Sequence, residues 1–173
     1  ILTALPSRLV KTGHLPSLGE PRGAIWVEIA VDDVRLQVVN THFGLRRRER
    51  MTQARTLAGE DWLGSPACSD HPTVLAGDFN AEMDSPEIQT FMSAGGALDT
   101  LAVVHDRGIA GSLESRFTWD SGLNENTAFA SRPTNASGRK LKGYDLLNAL
   151  EATIPRRIDY IFLNEVFRPE DVL

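Results

Sequence analysis

Cysteine is almost absent from this sequence, because Cys68 is the only one among 173 residues. A single cysteine excludes an intrachain disulfide and a zinc site built on several cysteines. It fits a reducing compartment, so a cytoplasmic location is favoured, although the sequence leaves the location undetermined.

Long apolar runs and an excess of positive charge are absent too. No apolar stretch approaches the roughly 18 residues that a membrane-spanning helix needs, so we expect no transmembrane segment. The 18 lysines and arginines are outnumbered by 23 aspartates and glutamates, which gives a net charge of -5. This balance argues against a protein that grips nucleic acid through bulk electrostatics, although it leaves room for a local basic groove.

The rest of the composition is typical of a globular domain. Hydrophobic residues make up 42% and charged residues 24% of the chain. A chain of 173 residues is most simply one domain, residues 1–173, with a substantial core. The sequence begins at Ile1 rather than at a methionine, so we expect it to be a piece of a longer protein.

Strand patterns dominate the first part of the chain. The segments ILTALP and SRLVKTGHLP are short and extended, and Pro6 and Pro16 interrupt them. The segments GAIWVEIAV (23–31) and VRLQVVNTH (34–42) are rich in β-branched residues, and two aspartates at 32–33 join them. This pattern predicts a β-hairpin.

A helical period replaces the strand pattern after residue 46. Apolar residues recur at helical spacing opposite a charged face, and we expect this helix to end at Gly64. Ser85 as N-cap and Pro86 at the first helical position predict a second helix that ends near Ala94. The apolar positions of the first helix are Met51, Ala54, Leu57, Ala58 and Trp62, and its charged positions are Arg46, Arg47, Glu49, Arg50 and Arg55.

Two more strands complete the pattern. One ends at Asp78, and the other is the apolar segment RIDYIFL, residues 157–163. Residues 106–155 are rich in turn formers and contain a short predicted helix near 144–151. Strands that alternate with helices, together with a hairpin, predict an α/β domain with a mixed sheet.

Polar residues occupy unexpected positions in VLAGDFNAE, residues 74–82. Asp78 and Asn80 follow a buried strand, and residues two apart in an extended chain share a face while Phe79 turns away. Gly77 lacks a Cβ and lets another group approach the backbone closely. A turn in which Asp78 and Asn80 bond their own backbone would also explain the pair, so other segments have to decide.

Two other strands end in the same way. Asn40 and His42 share a face at the end of VVNTHF, and Asp159 interrupts the apolar segment RIDYIFL. His42 could be a hydrogen-bonded core histidine, and Asp159 could simply pair with Arg157. A buried charge is costly unless it is paired or binds a metal. Three such strand ends in one small domain therefore predict one shared polar site.

The segments NTHFGL, GDFNAEMDSP and RRIDYIFL, in this order, resemble the endonuclease/exonuclease/phosphatase superfamily of divalent-metal phosphohydrolases. The segment RRRERMTQARTL is similar to the helix that follows the histidine motif in that family, so the resemblance covers most of the chain. It implies a four-layer sandwich, in which two mixed β-sheets pack face to face with helices outside.

The resemblance also implies flanking motifs that this sequence does not contain. The family has an early asparagine with a Gln-Glu whose carboxylate binds the metal, and a late Ser-Asp-His that supplies a histidine. We therefore expect a fold that is incomplete at both termini, and weak or absent turnover from residues 1–173 alone.

The resemblance implies catalytic roles for four residues. Asp78 matches the aspartate that activates or positions the attacking water, and Asn80 matches the asparagine that orients phosphate and nucleophile. His42 matches a histidine that hydrogen-bonds the phosphate, and Asp159 matches an aspartate that orients a second histidine or helps to hold metal. The implied cofactor is Mg²⁺ or Mn²⁺, with Asp78, Asn80 and Asp159 as its ligands, and oxygen ligands suit such cations.

Substrate contacts are predicted for Asn40, Trp119, Asn124 and Asn126. The last three lie in FTWDSGLNEN, which resembles a loop that many family members place beside the active site, and Trp119 could stack on substrate or merely anchor the loop. The arginine run at 46–50 could bind phosphate, although a solvated helix face is the commoner role of such a run.

The sequence thus predicts a metal-dependent phosphohydrolase that cleaves a phosphodiester by attack of water. The phosphate-ester substrate could be nucleic acid, a phospholipid or a related ester, although the net charge of -5 does not favour nucleic acid. The alternative is a non-catalytic interaction domain that retains the fold. Nothing in the sequence predicts an oligomeric state.

Overall fold

The computed structural model describes residues 1–94, 98–99, 158–164 and 166. The chain divides into two compact units, and the elements described below belong to the unit formed by residues 1–110 and 159–173. The predicted helix at 144–151 and the residues Trp119, Asn124, Asn126 and Arg157 lie outside the described residues. The single domain expected over residues 1–173 stays a prediction.

A six-stranded mixed sheet forms the centre of this unit. Its strand order is β1-β2-β3-β4-β6-β5, in which β3 and β4 run parallel and every other neighbouring pair is antiparallel. The predicted α/β class with a mixed sheet is therefore confirmed, while all the described strands belong to one sheet of the expected two. The strands are β1 (Ser7–Leu15), β2 (Arg22–Val31), β3 (Val34–His42), β4 (Thr73–Asp78), β5 (Leu98–Asp99) and β6 (Asp159–Leu163).

The predicted hairpin is formed by β2 and β3. A two-residue turn at 32–33 joins the strands, and Asp32 has a φ of 51°, as tight hairpin turns require. The turn sets the register, which runs from the pair Val31 and Val34 to the pair Ala24 and Thr41. Of the two predicted extended segments, the first, at residues 1–6, forms no strand, and the second forms β1.

Three helices accompany the sheet. The first ends earlier than predicted, because the N–H of Gly59 bonds back to the carbonyl of Thr56 and the chain then turns. The last has the predicted bounds, but the hydroxyl of Ser85 is buried and makes no hydrogen bond, so Ser85 is not the side-chain cap that we expected. The helices are α1 (Arg47–Ala58), α2 (Pro66–Ser69), which was not predicted, and α3 (Pro86–Ala94).

The charged face predicted for α1 is only partly solvated. Glu49 is buried, and its Oε1 accepts the N–H of Leu18 at 2.9 Å. Nε of Arg50 donates to Oε1 of Glu87, a fully buried residue of α3, at 2.8 Å. The side chains at 46–48 are exposed. The arginine run is therefore a solvated surface at three positions and an interhelical ion pair at the fourth.

The hydrophobic core lies between one face of the sheet and the helices. Side chains alternate along a strand, so the inward direction of Val39 and Leu75 turns their neighbours Asn40 and Ala76 to the opposite face. None of the described helices has the length and apolar character that a bilayer crossing requires. The core combines the strand residues Val39, Leu75, Tyr160 and Phe162 with the helix residues Ala54, Leu57, Ile88 and Phe91 and the loop residues Phe43 and Phe79.

Candidate active site

Three polar residues form one row across three neighbouring strands. His42 of β3 is the register partner of Asp78 of β4, and Asp78 is in turn the register partner of Asp159 of β6. Residues that lie opposite each other on neighbouring strands project from the same face. The sheet therefore brings together three of the four residues to which the sequence assigned a catalytic role.

Gly77 allows β3 and β4 to approach each other just before this row. Its φ is +149°, and a Cβ at this position would overlap the carbonyl oxygen of Thr41. Both facts restrict the position to glycine. The close approach expected from the sequence is thus confirmed, and the approaching group is the backbone of β3.

Asn80, the fourth predicted catalytic residue, joins the row through a turn. Its N–H donates to Oδ1 of Asp78 at 2.8 Å, and its φ of 48° is one that asparagine tolerates well. This is the backbone turn that we considered as the alternative. The Asn80 side chain nevertheless leaves the turn, because Nδ2 donates to the carbonyl of Phe43 at 2.9 Å and lies 3.2 Å from Nε2 of His42. Asp78 and Asn80 therefore form a turn, and the Asn80 side chain also lies against the polar row.

Phe79 fixes the segment between the two polar residues. Its side chain is fully buried, and its ring meets those of Phe43 at 5.1 Å and Phe162 at 5.5 Å in edge-to-face contacts. Edge-to-face packing is favourable for aromatic pairs beyond the area that they bury. The aromatic cluster therefore holds the ends of β3, β4 and β6 together beneath the polar row.

Arg22 also contacts the polar row, and the sequence analysis did not predict this residue. Its Nη1 lies 3.1 Å from Nδ1 of His42, and its Nη2 lies 3.0 Å from Oε2 of Glu20. The side chain is only 10% exposed. A signal was available, because a two-residue turn at 32–33 places residue 23 opposite His42 and hence Arg22 beside it.

The electrostatic surroundings raise the pKa of Asp78 above its usual value. Burial of the carboxyl group is the largest cause, and the charge of Asp159 acts in the same direction. The hydrogen bond from the N–H of Asn80 and the charges of His42 and Arg22 oppose the shift. Asp78 is consequently a better proton acceptor than an ordinary solvated aspartate.

The carboxylates of Asp78 and Asp159 are the residues that could hold a metal. Two like charges in direct register are unfavourable, so a cation between them would be stabilising. Mg²⁺ binds through one or two carboxylates and keeps several waters, so this pair fits such an ion. Within the part of the chain that the structure describes, no group of three His, Cys, Asp or Glu side chains is arranged to hold a metal.

An open cleft of about 580 Å³ adjoins the row. His14, Arg22, Ile25, Asn40 and His42 contribute to its lining. Nδ2 of Asn40 donates to the backbone carbonyl of Ala76 at 3.1 Å, so this predicted substrate contact is anchored to the sheet. The cleft therefore gives a ligand access to His42, at one end of the polar row.

Known proteins share the family pattern and the fold. The model of the Endonuclease/Exonuclease/phosphatase family matches residues 1–173. TDP2 of D. rerio, in a complex with a single-strand DNA product, is 18% identical with a TM-score of 0.58 over 91% of this chain and 53% of its own. The human Nocturnin catalytic domain with bound sulfate is 15% identical with a TM-score of 0.51 over 92% of this chain and 48% of its own.

A mannosyl-6-phosphatase of Bacteroides thetaiotaomicron is similar to the same extent. It is 19% identical with a TM-score of 0.51, over 92% of this chain and 53% of its own. The chain thus spans about half the length of these solved structures. No curated protein sequence matches the chain significantly.

Proposed function

Since the chain belongs to the Endonuclease/Exonuclease/phosphatase family, we propose that it is a divalent-metal-dependent phosphohydrolase that cleaves a phosphodiester by attack of water. The observation that carries this proposal is the row of His42, Asp78 and Asp159, which Asn80 joins at the end of β4. The four-layer sandwich of the family belongs to the same proposal, with the described sheet as one of its two inner layers.

Asp78 is the residue that takes the proton of the attacking water. Its raised pKa makes the carboxylate a stronger base, and its side chain is 30% exposed, so water can reach it. Asn80 is held by the carbonyl of Phe43, so its amide orients the nucleophile and phosphate without adding a repulsive charge.

His42 and Arg22 face the charge of the phosphate. The side chain of His42 is 53% exposed and so can reach a substrate oxygen, and the guanidinium beside it supplies a fixed positive charge. Hydrogen-bond donors placed where charge develops in the transition state are often worth about 3 kcal/mol.

Asp78 and Asp159, with the amide oxygen of Asn80 as a third ligand, would hold Mg²⁺ or Mn²⁺. Such an ion, when bound, polarises a phosphoryl oxygen and lowers the pKa of water. Asp159 also faces Asp78 across the strand pair and helps to keep its pKa raised.

The proposed substrates are phosphate esters, and two observations bear on which class of ester is cleaved. The names of the similar structures include a phosphatase and a protein bound to a DNA product, so the fold accommodates both classes in other proteins. The net charge of -5 favours a smaller ester over a nucleic-acid duplex. Asn40 in the cleft and the loop residues Trp119, Asn124 and Asn126 are proposed to contact the substrate.

Turnover of two chromogenic esters tests the proposal. Bis(p-nitrophenyl) phosphate represents diesters and p-nitrophenyl phosphate represents monoesters, and both are assayed with Mn²⁺ and after exhaustive chelation. Because we expect only weak turnover from residues 1–173 alone, the predicted result is a slow Mn²⁺-dependent hydrolysis of the diester that chelation abolishes. Hydrolysis that persists at full rate after chelation would contradict metal dependence, and no hydrolysis of any phosphate ester would favour the non-catalytic interaction domain.

A further inference from the structure

His42 lies between two hydrogen-bond donors. Nη1 of Arg22 is 3.1 Å from Nδ1 of the ring, and Nδ2 of Asn80 is 3.2 Å from Nε2. A neutral imidazole accepts at only one of its two nitrogens, so the ring cannot accept from both neighbours at once. The donor that prevails decides which nitrogen carries the proton.

The surroundings favour Arg22 in this competition. A guanidinium has only donors and stays charged, so the nitrogen that faces it has to be the acceptor. Asn80 is not dependent on the ring, because its Nδ2 donates to the carbonyl of Phe43 at 2.9 Å. Oδ2 of Asp78 lies 3.4 Å from Nε2, so an N–H on that nitrogen has an acceptor on its side of the ring. The arrangement therefore gives Nδ1 as acceptor and Nε2–H as donor.

The hydrogen bonds of Arg22 do not explain why its side chain is buried. Its side chain is only 10% exposed, and its Nη2 forms an ion pair with Oε2 of Glu20 at 3.0 Å. Its Nε is buried and makes no hydrogen bond. A buried N–H without an acceptor costs free energy. The stability of the fold alone therefore does not explain why the Arg22 side chain is buried here.

We propose that Arg22 is a positioning residue that fixes His42 in the neutral tautomer with the proton on Nε2. In this tautomer the nitrogen nearest Asp78 and Asn80 is a hydrogen-bond donor, so His42 cannot take the proton of the attacking water there. Between His42 and Asp78, the base for the attacking water is then Asp78. That consequence rests on the proposed function, whereas the tautomer itself does not.

Long-range ¹H–¹⁵N correlation spectra of the imidazole rings test the proposal. The chain is examined near pH 8.5, about two units above the ordinary titration of histidine, and a His42→Gln variant assigns the His42 signals among the four histidines. We expect a pyridine-type Nδ1 and a pyrrole-type Nε2 for His42. In Arg22→Met, which removes the donor at similar length, we expect the tautomer with the proton on Nδ1 to become populated, because no guanidinium then requires Nδ1 to be the acceptor.

Arg8→Met is the matched control. Arg8 is an exposed arginine on the neighbouring strand that also pairs with a glutamate, so its removal should leave the His42 spectrum unchanged. A pyrrole-type Nδ1 in the unmodified chain overturns the proposal, whether or not any variant folds. A folded Arg22→Met variant that keeps the proton on Nε2 overturns it as well. Ester turnover is measured separately, so an inactive chain with the expected tautomer would refute the proposed function alone.

Discussion

Asp78 is the side chain on which the proposed chemistry depends most. Asp78→Asn preserves size and removes the base, so we expect kcat for the diester to fall by at least about 100-fold. The free energy of unfolding should be unchanged or slightly higher, because the repulsion between Asp78 and Asp159 is relieved. Asp33→Asn, in the exposed turn at the opposite end of β3, is the control for charge. Near-native turnover of Asp78→Asn would remove Asp78 from the catalytic role.

Gly77 should tolerate no side chain. In Gly77→Ala the new methyl group would collide with the carbonyl of Thr41 at a φ that alanine rarely adopts. We expect a loss of about 1–3 kcal/mol in unfolding free energy, measured by urea denaturation. Gly19→Ala is the control, because no atom lies within 4 Å of a Cβ built there. Equal stability of the two variants would show that β3 and β4 can separate at no cost.

Single residues were predictable where a polar group interrupts an apolar strand. That rule singled out His42, Asp78 and Asp159, because a polar residue at the end of an apolar strand is visible in the sequence itself, although the His42 side chain is 53% exposed and not buried as we expected. Arg22 was missed because an arginine at the beginning of a strand is normally a solvated residue. Only the hairpin register, which is a property of the pair of strands, places Arg22 beside His42.

At the scale of elements, the ion pair of Arg50 and Glu87 connects α1 with α3. Glu87 is fully buried, so Arg50→Met would leave its carboxylate without a charged partner. We expect a loss of about 3 kcal/mol or more in unfolding free energy. The double variant Arg50→Met with Glu87→Gln should lose less than the single one, because no unpaired charge remains.

Arg47→Met provides the control on the same helix. Arg47 is exposed, so its removal should change stability by no more than about 0.5 kcal/mol. If Arg50→Met were as mild as Arg47→Met in urea denaturation, the pair would be a surface contact without a structural role.

The elements themselves were predicted better than their buried faces. The hairpin and α3 have the expected bounds because turn and breaker residues mark them. The buried side of α1 was predicted only in part: Ala54 and Leu57 are buried as expected, but apolar periodicity ignores the buried polar residues Glu49 and Gln53. Their partners, the N–H of Leu18 and the carbonyl of Pro16, are 31 and 37 residues distant and become visible only in the fold.

At the scale of the whole molecule, Cys68 reports on the integrity of the fold. The residue is 1% exposed, and burial raises the pKa of its thiol. The neutral thiol is therefore favoured in the folded state, and this contribution to stability is lost as the pH rises above about 8.5, the usual thiol pKa. We expect alkylation of native Cys68 at about pH 8 to be at least tenfold slower than in denaturant. Equal rates in both states would show that the region around Cys68 is not packed.

Binding of Mn²⁺ tests the central claim most directly, because it needs no assumption about the substrate. Free Mn²⁺ is measured by electron paramagnetic resonance as the chain is added, with Asp33→Asn as the control of equal charge. We predict binding by the unmodified chain and by Asp33→Asn, and a loss of affinity of at least about tenfold in both Asp78→Asn and Asp159→Asn, because a charged ligand is removed. Affinity in Asp78→Asn and Asp159→Asn equal to that of the unmodified chain would contradict a metal site at the row of His42, Asp78 and Asp159.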